Sequence, residues 1–255
     1  MAEHRFHTPL PLELQVAIPA GDIDVRTVDG EESVIVVDGD DKLVEQTEVR
    51  LDGNTLVVSF RGKKPFGITI AIGDFSFGTR HLTVRAAVPH GAAATLTAAS
   101  ADMTVEGRLG ELEVKTASGD LRLQGEVERD ATLKSVSGDV RIDRVGGDLK
   151  AQSVSGDLAV GWVGGSVEAK TVSGDLRVDS LRHGSASFTS ISGDVAVGIA
   201  PGTFLDVDAG SVSGDLSSEV PLASAPGEHD GDDGPTVVMR GRTVSGDVKV
   251  FRAVA

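Results

Sequence analysis

The sequence predicts an all-β fold, a single-stranded β-helix (β-solenoid) with coils of about 18–19 residues and an irregular β N-terminal cap. Three observations predict it. A Ser-Gly-Asp phrase recurs at a near-constant period, a short alternating apolar run follows each copy, and a second alternating run precedes it. The phrase ends at Asp120, Asp139, Asp157, Asp175, Asp194, Asp215 and Asp247, in steps of 19, 18, 18, 19, 21 and 32 residues. A period near 20 residues marks units that stack, because one such unit cannot bury its apolar face alone.

The columns of the repeat carry the reading further. Four residues before each aspartate stands Thr116, Ser135, Ser153, Thr171, Ser190, Ser211 or Thr243, and three before stands Ala117, Val136, Val154, Val172, Ile191, Val212 or Val244. After the aspartate come pairs such as Val140 and Ile142, Leu158 and Val160, or Leu176 and Val178. Residues two apart share one face of a strand. The residues between them, including Arg122, Arg141 and Arg177, therefore face water. The preceding strand offers Leu112 and Val114, Ala131 and Leu133, Leu149 and Ala151, Val167 and Ala169, Ala186 and Phe188 as its inward residues. The glycine of each phrase sits between the two strands, where a sharp bend needs positive φ or close backbone approach. Stacked coils then pair edge to edge about 4.8 Å apart. In that arrangement the Ser/Thr column forms a hydrogen-bonded ladder in or beside the bore, and seven equivalent hydroxyls make a poor nucleophile design.

Residues 1–81 read as the N-terminal β cap with degenerate first coils, and residues 82–255 as the Ser-Gly-Asp solenoid. In the cap, "LELQVAI", "SVIVVDGD", "EQTEVRLDGNTLVVSF" and "GITIAIGDF" read as strands, with a hairpin turn at Asp52-Gly53-Asn54. "AGDIDVRTVDG" is already a worn copy of the repeat. Phe60, Phe66, Phe75 and Phe77 pack the cap or line a ligand pocket. An acidic insertion at 217–236 interrupts the rhythm, with prolines at 221, 226 and 235, and the strands around Val237–Met239 and Val248–Val250 are expected to close the C-terminal end.

Composition narrows the classes. Lys and Arg total 24 against 39 Asp and Glu, a net charge of −15, which disfavours nucleic acid and anionic lipid as partners. The absence of cysteine excludes disulfides and thiolate metal sites. Tyrosine is absent and Trp162 is the single tryptophan, so long carbohydrate grooves are disfavoured. No stretch reaches transmembrane length and no export signal is legible, so the expectation is a cytoplasmic protein without direct membrane insertion.

The candidate site is an interaction ladder: Asp120, Asp139, Asp157, Asp175 and Asp194, with Arg122, Arg141 and Arg177. Like charges one coil apart repel unless something offsets them. The offset is hydrogen bonding from backbone amides of each bend, or calcium held between coils, or a partner protein docked on the stripe. Glu228, Asp230, Asp232 and Asp233 are weak metal candidates in the acidic insertion. The histidines show no metal-ligand spacing, and the glycine pairs in "RVGGD" and "GWVGG" precede no helix, so they are not phosphate cradles.

With its "VSGDL" and "VSGDV" phrases, two-strand period and acidic insertion before the last copy, the chain resembles the bacterial "putative adhesin" domain-of-unknown-function family of β-strand-repeat proteins, from about Phe6 to Arg252. The resemblance implies a β-helix and brings neither catalytic residues nor a cofactor. The expected function is a non-enzymatic scaffold or protein-interaction module whose partner belongs to the membrane or stress-response machinery. The alternatives are a calcium-dependent binding module and, third, a polysaccharide-active β-helix enzyme. A homodimer through the exposed solenoid ends is a further expectation.

Overall fold

Each Ser-Gly-Asp phrase lies at a bend between two strands, as its glycine requires. The computed structural model describes residues 1–61, 81–220 and 235–253. The chain divides into two units, Met1–Gly125 and Glu126–Ala255. The first holds β1 (Ala2–His7), β2 (Glu13–Val28), β3 (Glu32–Gly39), the one-turn helix α1 (Asp41–Gln46), β4 (Thr47–Asp52), β5 (Thr55–Phe60), β6 (Leu82–Pro89), β7 (Ala93–Leu109), β8 (Leu112–Ser118) and most of β9 (Leu121–Val127).

β2 is the worn copy read from the sequence. It bends at Gly21, whose φ is +122°, and pairs in parallel with β7 from Glu13↔Ala93 to Arg26↔Glu106, which sets Asp22 beside Asp102. Its other edge pairs with β5 over Glu13–Ala17 and with β6 over Asp22–Val28. The stacking order is therefore β5/β6, β2, β7, β8/β9, although β2 comes first in the chain. The cap is made by reversing strand direction: β4 runs antiparallel to β5, β3 to β6 and β1 to β3. The expected hairpin joins β4 to β5, with Gly53 at φ +60°. Of the cap phenylalanines, Phe60 ends β5 half-buried, and Phe66, Phe75, Phe77 and the "GITIAIGDF" strand lie outside the described residues.

The second unit continues with β10 (Ala131–Ser135), β11 (Val140–Val145), β12 (Leu149–Gln152), β13 (Leu158–Val163), β14 (Val167–Lys170), β15 (Leu176–Leu181), β16 (Gly184–Ser192), β17 (Val195–Ile199), β18 (Phe204–Ser213), β19 (Leu216–Ser218), β20 (Thr236–Ser245) and β21 (Val248–Arg252). Among the described residues its ladders are parallel. β10 pairs with β12, β12 with β14 and β14 with β16 on one strand position, and β11 with β13, β13 with β15 and β15 with β17 on the other. Like residues stack in columns: Ala131, Leu149, Val167 and Ala186 in one, Ile142, Val160, Val178 and Val197 in another, all buried. Val145, Val163, Leu181 and Ile199 form a third buried column. Removing an aliphatic side chain of this size from water is worth about 1.5–3 kcal/mol, and every coil contributes several.

The last two coils correct the sequence reading. β20 pairs with β16 on one edge and with β18 on the other, and β21 likewise lies between β17 and β19. The final strands do not close the end; they slip in one coil before it, and β18/β19 lies outermost. The reason is composition. Val237, Met239, Val248 and Val250 supply a full set of inward aliphatics and are all buried. The coil of β18/β19 has Ser218 opposite Val250, and Leu216 stays 46% exposed, so it loses less by standing at the end.

The bend glycines explain the fixed spacing. Gly138, Gly156, Gly174, Gly193 and Gly246 all have positive φ, and a Cβ on any of the last four would overlap the carbonyl oxygen of the glycine stacked before it. Gly156→Ala is therefore expected to destabilise the protein by at least about 2 kcal/mol. Gly202→Ala, at φ +76° with open space around it, is expected to cost about 1 kcal/mol. Urea denaturation followed by circular dichroism measures both.

Candidate functional site

Each constant position of the repeat has a bonding role at the bend, with one exception. The hydroxyl four residues before the aspartate donates to the carbonyl two residues on: Thr116 to Ser118, Ser135 to Ser137, Ser153 to Ser155, Thr171 to Ser173 and Thr243 to Ser245, at 2.8–3.3 Å. The Ser/Thr column is thus not the coil-to-coil ladder expected from sequence. These five hydroxyls each close their own bend, whereas Ser211 donates across coils to the carbonyl of Gly246 at 3.1 Å. A cavity of about 20 Å³ beside Ser135, Ser153 and Thr171 is large enough for one water. Ser190 departs from the column in another way: it is 3% exposed and its hydroxyl has no partner.

The coil-to-coil bonds come from the other constant residues. Ser155, Ser173 and Ser192 donate their backbone N–H to the carbonyls of Val136, Val154 and Val172 one coil earlier. The aspartates do the same through side chains. Oδ1 of Asp139 accepts the N–H of Asp157 at 3.0 Å, Asp157 that of Asp175 at 2.8 Å, and Asp175 that of Asp194 at 2.9 Å. The series continues from Asp194 to Asp247 and from Asp247 to Asp215, both at 2.8 Å, following the stacking order instead of the chain order. In the first unit Oδ1 of Asp102 accepts from Asp120 at 2.9 Å. Backbone amides do offset the carboxylates, and the donor lies in the neighbouring coil instead of the aspartate's own bend.

The predicted ladder residues fall as follows. Asp120 and Arg122 lie in the first unit, and Asp139, Asp157, Asp175, Asp194, Arg141 and Arg177 in the second. In the second unit they form two ordered columns. Arg141, Ala159, Arg177, Ala196 and Lys249 are in register, so a cation recurs at every other coil. Arg141 reaches Asp139 at 3.8 Å. Arg177 pairs with Asp179 at 2.6 Å and lies over the Phe251 ring at 5.2 Å, a cation–π contact. Glu228, Asp230, Asp232 and Asp233 lie outside the described residues, and among the described residues no cluster of acidic or histidine side chains could hold a metal ion.

Three features of the site escaped the sequence reading. At the opposite bend, Oδ1 of Asp130 accepts from Asp148 N–H at 2.8 Å and Oδ1 of Asp148 from Ser166 N–H at 2.7 Å, a second side-chain ladder whose only sequence signal is the "GGD" and "GGS" phrases. On the outer face of β12 and β14, Glu168 binds Lys170 at 2.8 Å and Lys150 at 3.2 Å. The hydrogen bond from Lys170 and then that from Lys150 hold its carboxyl below the ordinary glutamate range. Third, the column three residues before the aspartate points outward. Val136, Val154, Val172, Ile191 and Val244 are 43–52% exposed and Val212 83%, an aliphatic ridge along the bends.

A profile of the Toastrack DUF4097 family matches residues 13–251, and the chain belongs to that family. Its fold is similar to two solved structures from Parabacteroides distasonis. One, described as a "putative adhesin", is 13% identical, with 98% of this chain and 96% of that one covered and a TM-score of 0.53. The other, described as a "Putative lipid binding protein", is 12% identical, with 97% and 96% covered and a TM-score of 0.54. No curated protein matches the chain.

Two substitutions separate bend chemistry from packing. Asp157→Ala leaves the N–H of Asp175 without its acceptor and is expected to cost about 1–2 kcal/mol, whereas Asp157→Asn keeps an oxygen in place and costs less than half of that. Ser190→Ala removes an unbonded buried hydroxyl and is expected to be neutral or stabilising, by up to about 1 kcal/mol. Chemical denaturation midpoints check both.

Proposed function

We propose that this Toastrack protein is a non-enzymatic scaffold that docks a protein partner on the charge columns of its coils, with Asp139, Asp157, Asp175, Asp194, Arg141 and Arg177 on the second unit as the contact residues and Asp120 and Arg122 as the corresponding pair on the first. The observation that carries this reading is the locked aspartate column. One oxygen of each carboxylate is tied to the next coil's backbone, so the charges form a rigid array at coil spacing and lose little entropy when a partner binds. The sites are also equivalent. Among the described residues no aspartate or serine is set apart by burial, strained geometry and a neighbouring base together, as a catalytic group would be. The bore is filled by aliphatic side chains among the described residues, which supports a reading with recognition on the outer faces instead of inside the coil. An envelope or stress-response component is the partner class we propose, and a cytoplasmic location accompanies it.

The test keeps the fold and removes the charge. Asp139→Asn, Asp157→Asn and Asp175→Asn together preserve the bend acceptors, so the triple variant should fold as the wild type does by circular dichroism. The expected outcome of affinity capture from the native lysate is a protein retained by wild type and lost by the variant. Equal capture by both would discard the aspartate column as the contact surface.

A further inference from the structure

The aliphatic ridge is the one constant column whose side chain does nothing for the bend, although the carbonyls of Val136, Val154 and Val172 accept coil-to-coil bonds there. The hydroxyl, the second serine, the glycine and the aspartate each make or permit a bond there, while the residue between the first hydroxyl and the serine presents its side chain to water. In stacking order the ridge of the second unit is Val136, Val154, Val172, Ile191, Val244 and Val212, fixed by the pairings of Ser155, Ser173, Ser192, Ser245 and Ser213 beside it. Six β-branched side chains one coil apart make a straight apolar strip about 24 Å long. Apolar patches on the order of several hundred Å² on a protein surface mark interaction sites.

The charges on its two sides say what covers it. Two residues before the ridge, on the outer face of the same strands, stand Lys134, Gln152, Lys170, Thr189 and Arg242, a column with a cation at alternate coils. Three residues after the ridge stand Asp139, Asp157, Asp175, Asp194 and Asp247. The strip is therefore basic on one side and acidic on the other. A two-fold axis running along the ridge brings a second copy's basic column onto this copy's acidic column. Lys134 then faces Asp139 of the second copy, Lys170 faces Asp175 and Arg242 faces Asp247, each within its own coil level, and the reciprocal three pairs form at the same time. A two-fold axis across the ridge would instead set cation against cation and carboxylate against carboxylate. An isologous interface needs a surface that complements itself, and this strip does so in one orientation only.

We propose that two copies of this chain associate ridge to ridge through Val136, Val154, Val172, Ile191 and Val244, with their stacking axes parallel. This places the dimer contact along the bends instead of at the solenoid ends. The surface overlaps the aspartate column proposed above for a protein partner, but self-association is read with the purified chain alone, so either reading can fail without the other.

The absence of cysteine makes the test direct. On a two-fold axis along the ridge every ridge residue meets its own counterpart. Val154→Cys, Val172→Cys and Ile191→Cys, made singly in the full chain, should each yield a disulfide-linked dimer on mild oxidation. The yield should exceed that of Lys249→Cys, exposed on the other strand, by about tenfold, because contact in a complex raises effective concentration to millimolar levels. Sedimentation should show concentration-dependent dimer for wild type and monomer for Val172→Asp with an unchanged circular dichroism spectrum. Cross-linking no greater than in Lys249→Cys, cross-linking at a single ridge position only, or a wild type that stays monomeric would each overturn the proposal.

Discussion

Everything in this fold depends on one contact, the seating of each bend on the bend before it. The glycine of one coil lies against the glycine carbonyl of its neighbour, and the aspartate N–H enters the neighbour's carboxylate. Neither contact tolerates a shift of register, because a one-residue slip would put a Cβ where only hydrogen fits and would turn every inward side chain outward. That is why the phrase recurs with so little variation while the strands between copies range over Val, Ile, Leu, Ala and Phe. The strands need only be apolar and about the right size. The bends must match atom for atom.

The same contact is indifferent to chain order, and both units use that freedom. A coil accepts another that presents the same bend, so β20/β21 sits between β16/β17 and β18/β19, and in the first unit β2 sits between β5/β6 and β7. In the second unit the exchange buries the more aliphatic of the two last coils. In the first it leaves an outer coil on which antiparallel strands can fold back, covering the edge that a stack of parallel strands would otherwise expose.

With the bends bonded to one another, the outer columns are what the scaffold leaves exposed. The aspartates have both duties: one oxygen belongs to the scaffold, and the charge remains on the surface. The arginines and lysines on alternate coils keep the surface from becoming a plain acidic stripe despite the net charge of −15. Between the acidic and basic columns runs the aliphatic ridge, whose side chains no bend uses. An array of this kind is stiff along its length and periodic, and it suits partners that are themselves extended or repetitive, including another copy of the chain.

Most of the fold was legible in the sequence. The Ser-Gly-Asp period, the inward pairs such as Leu158 and Val160, the hairpin at Gly53 and the worn copy at Gly21 follow from local rules, since positive φ needs glycine and alternate residues share a face. The aspartate and arginine columns were legible for the same reason. The donor to each aspartate and the second ladder at Asp130 and Asp148 were not, because each depends on distances between residues 18 or more apart. The bonding of Ser153 to the carbonyl of Ser155 and the outward turn of Val154 follow from the backbone path of the bend, which the residue types alone do not fix. Nor could the order of the last coils be read. Sequence by itself determined that the chain coils, which side chains fill the bore and which residues make the bends, because those are properties of a single coil. Only the tertiary structure decided which coil lies on which, since equivalent bends compete for the same seat and the choice rests on the total apolar surface buried.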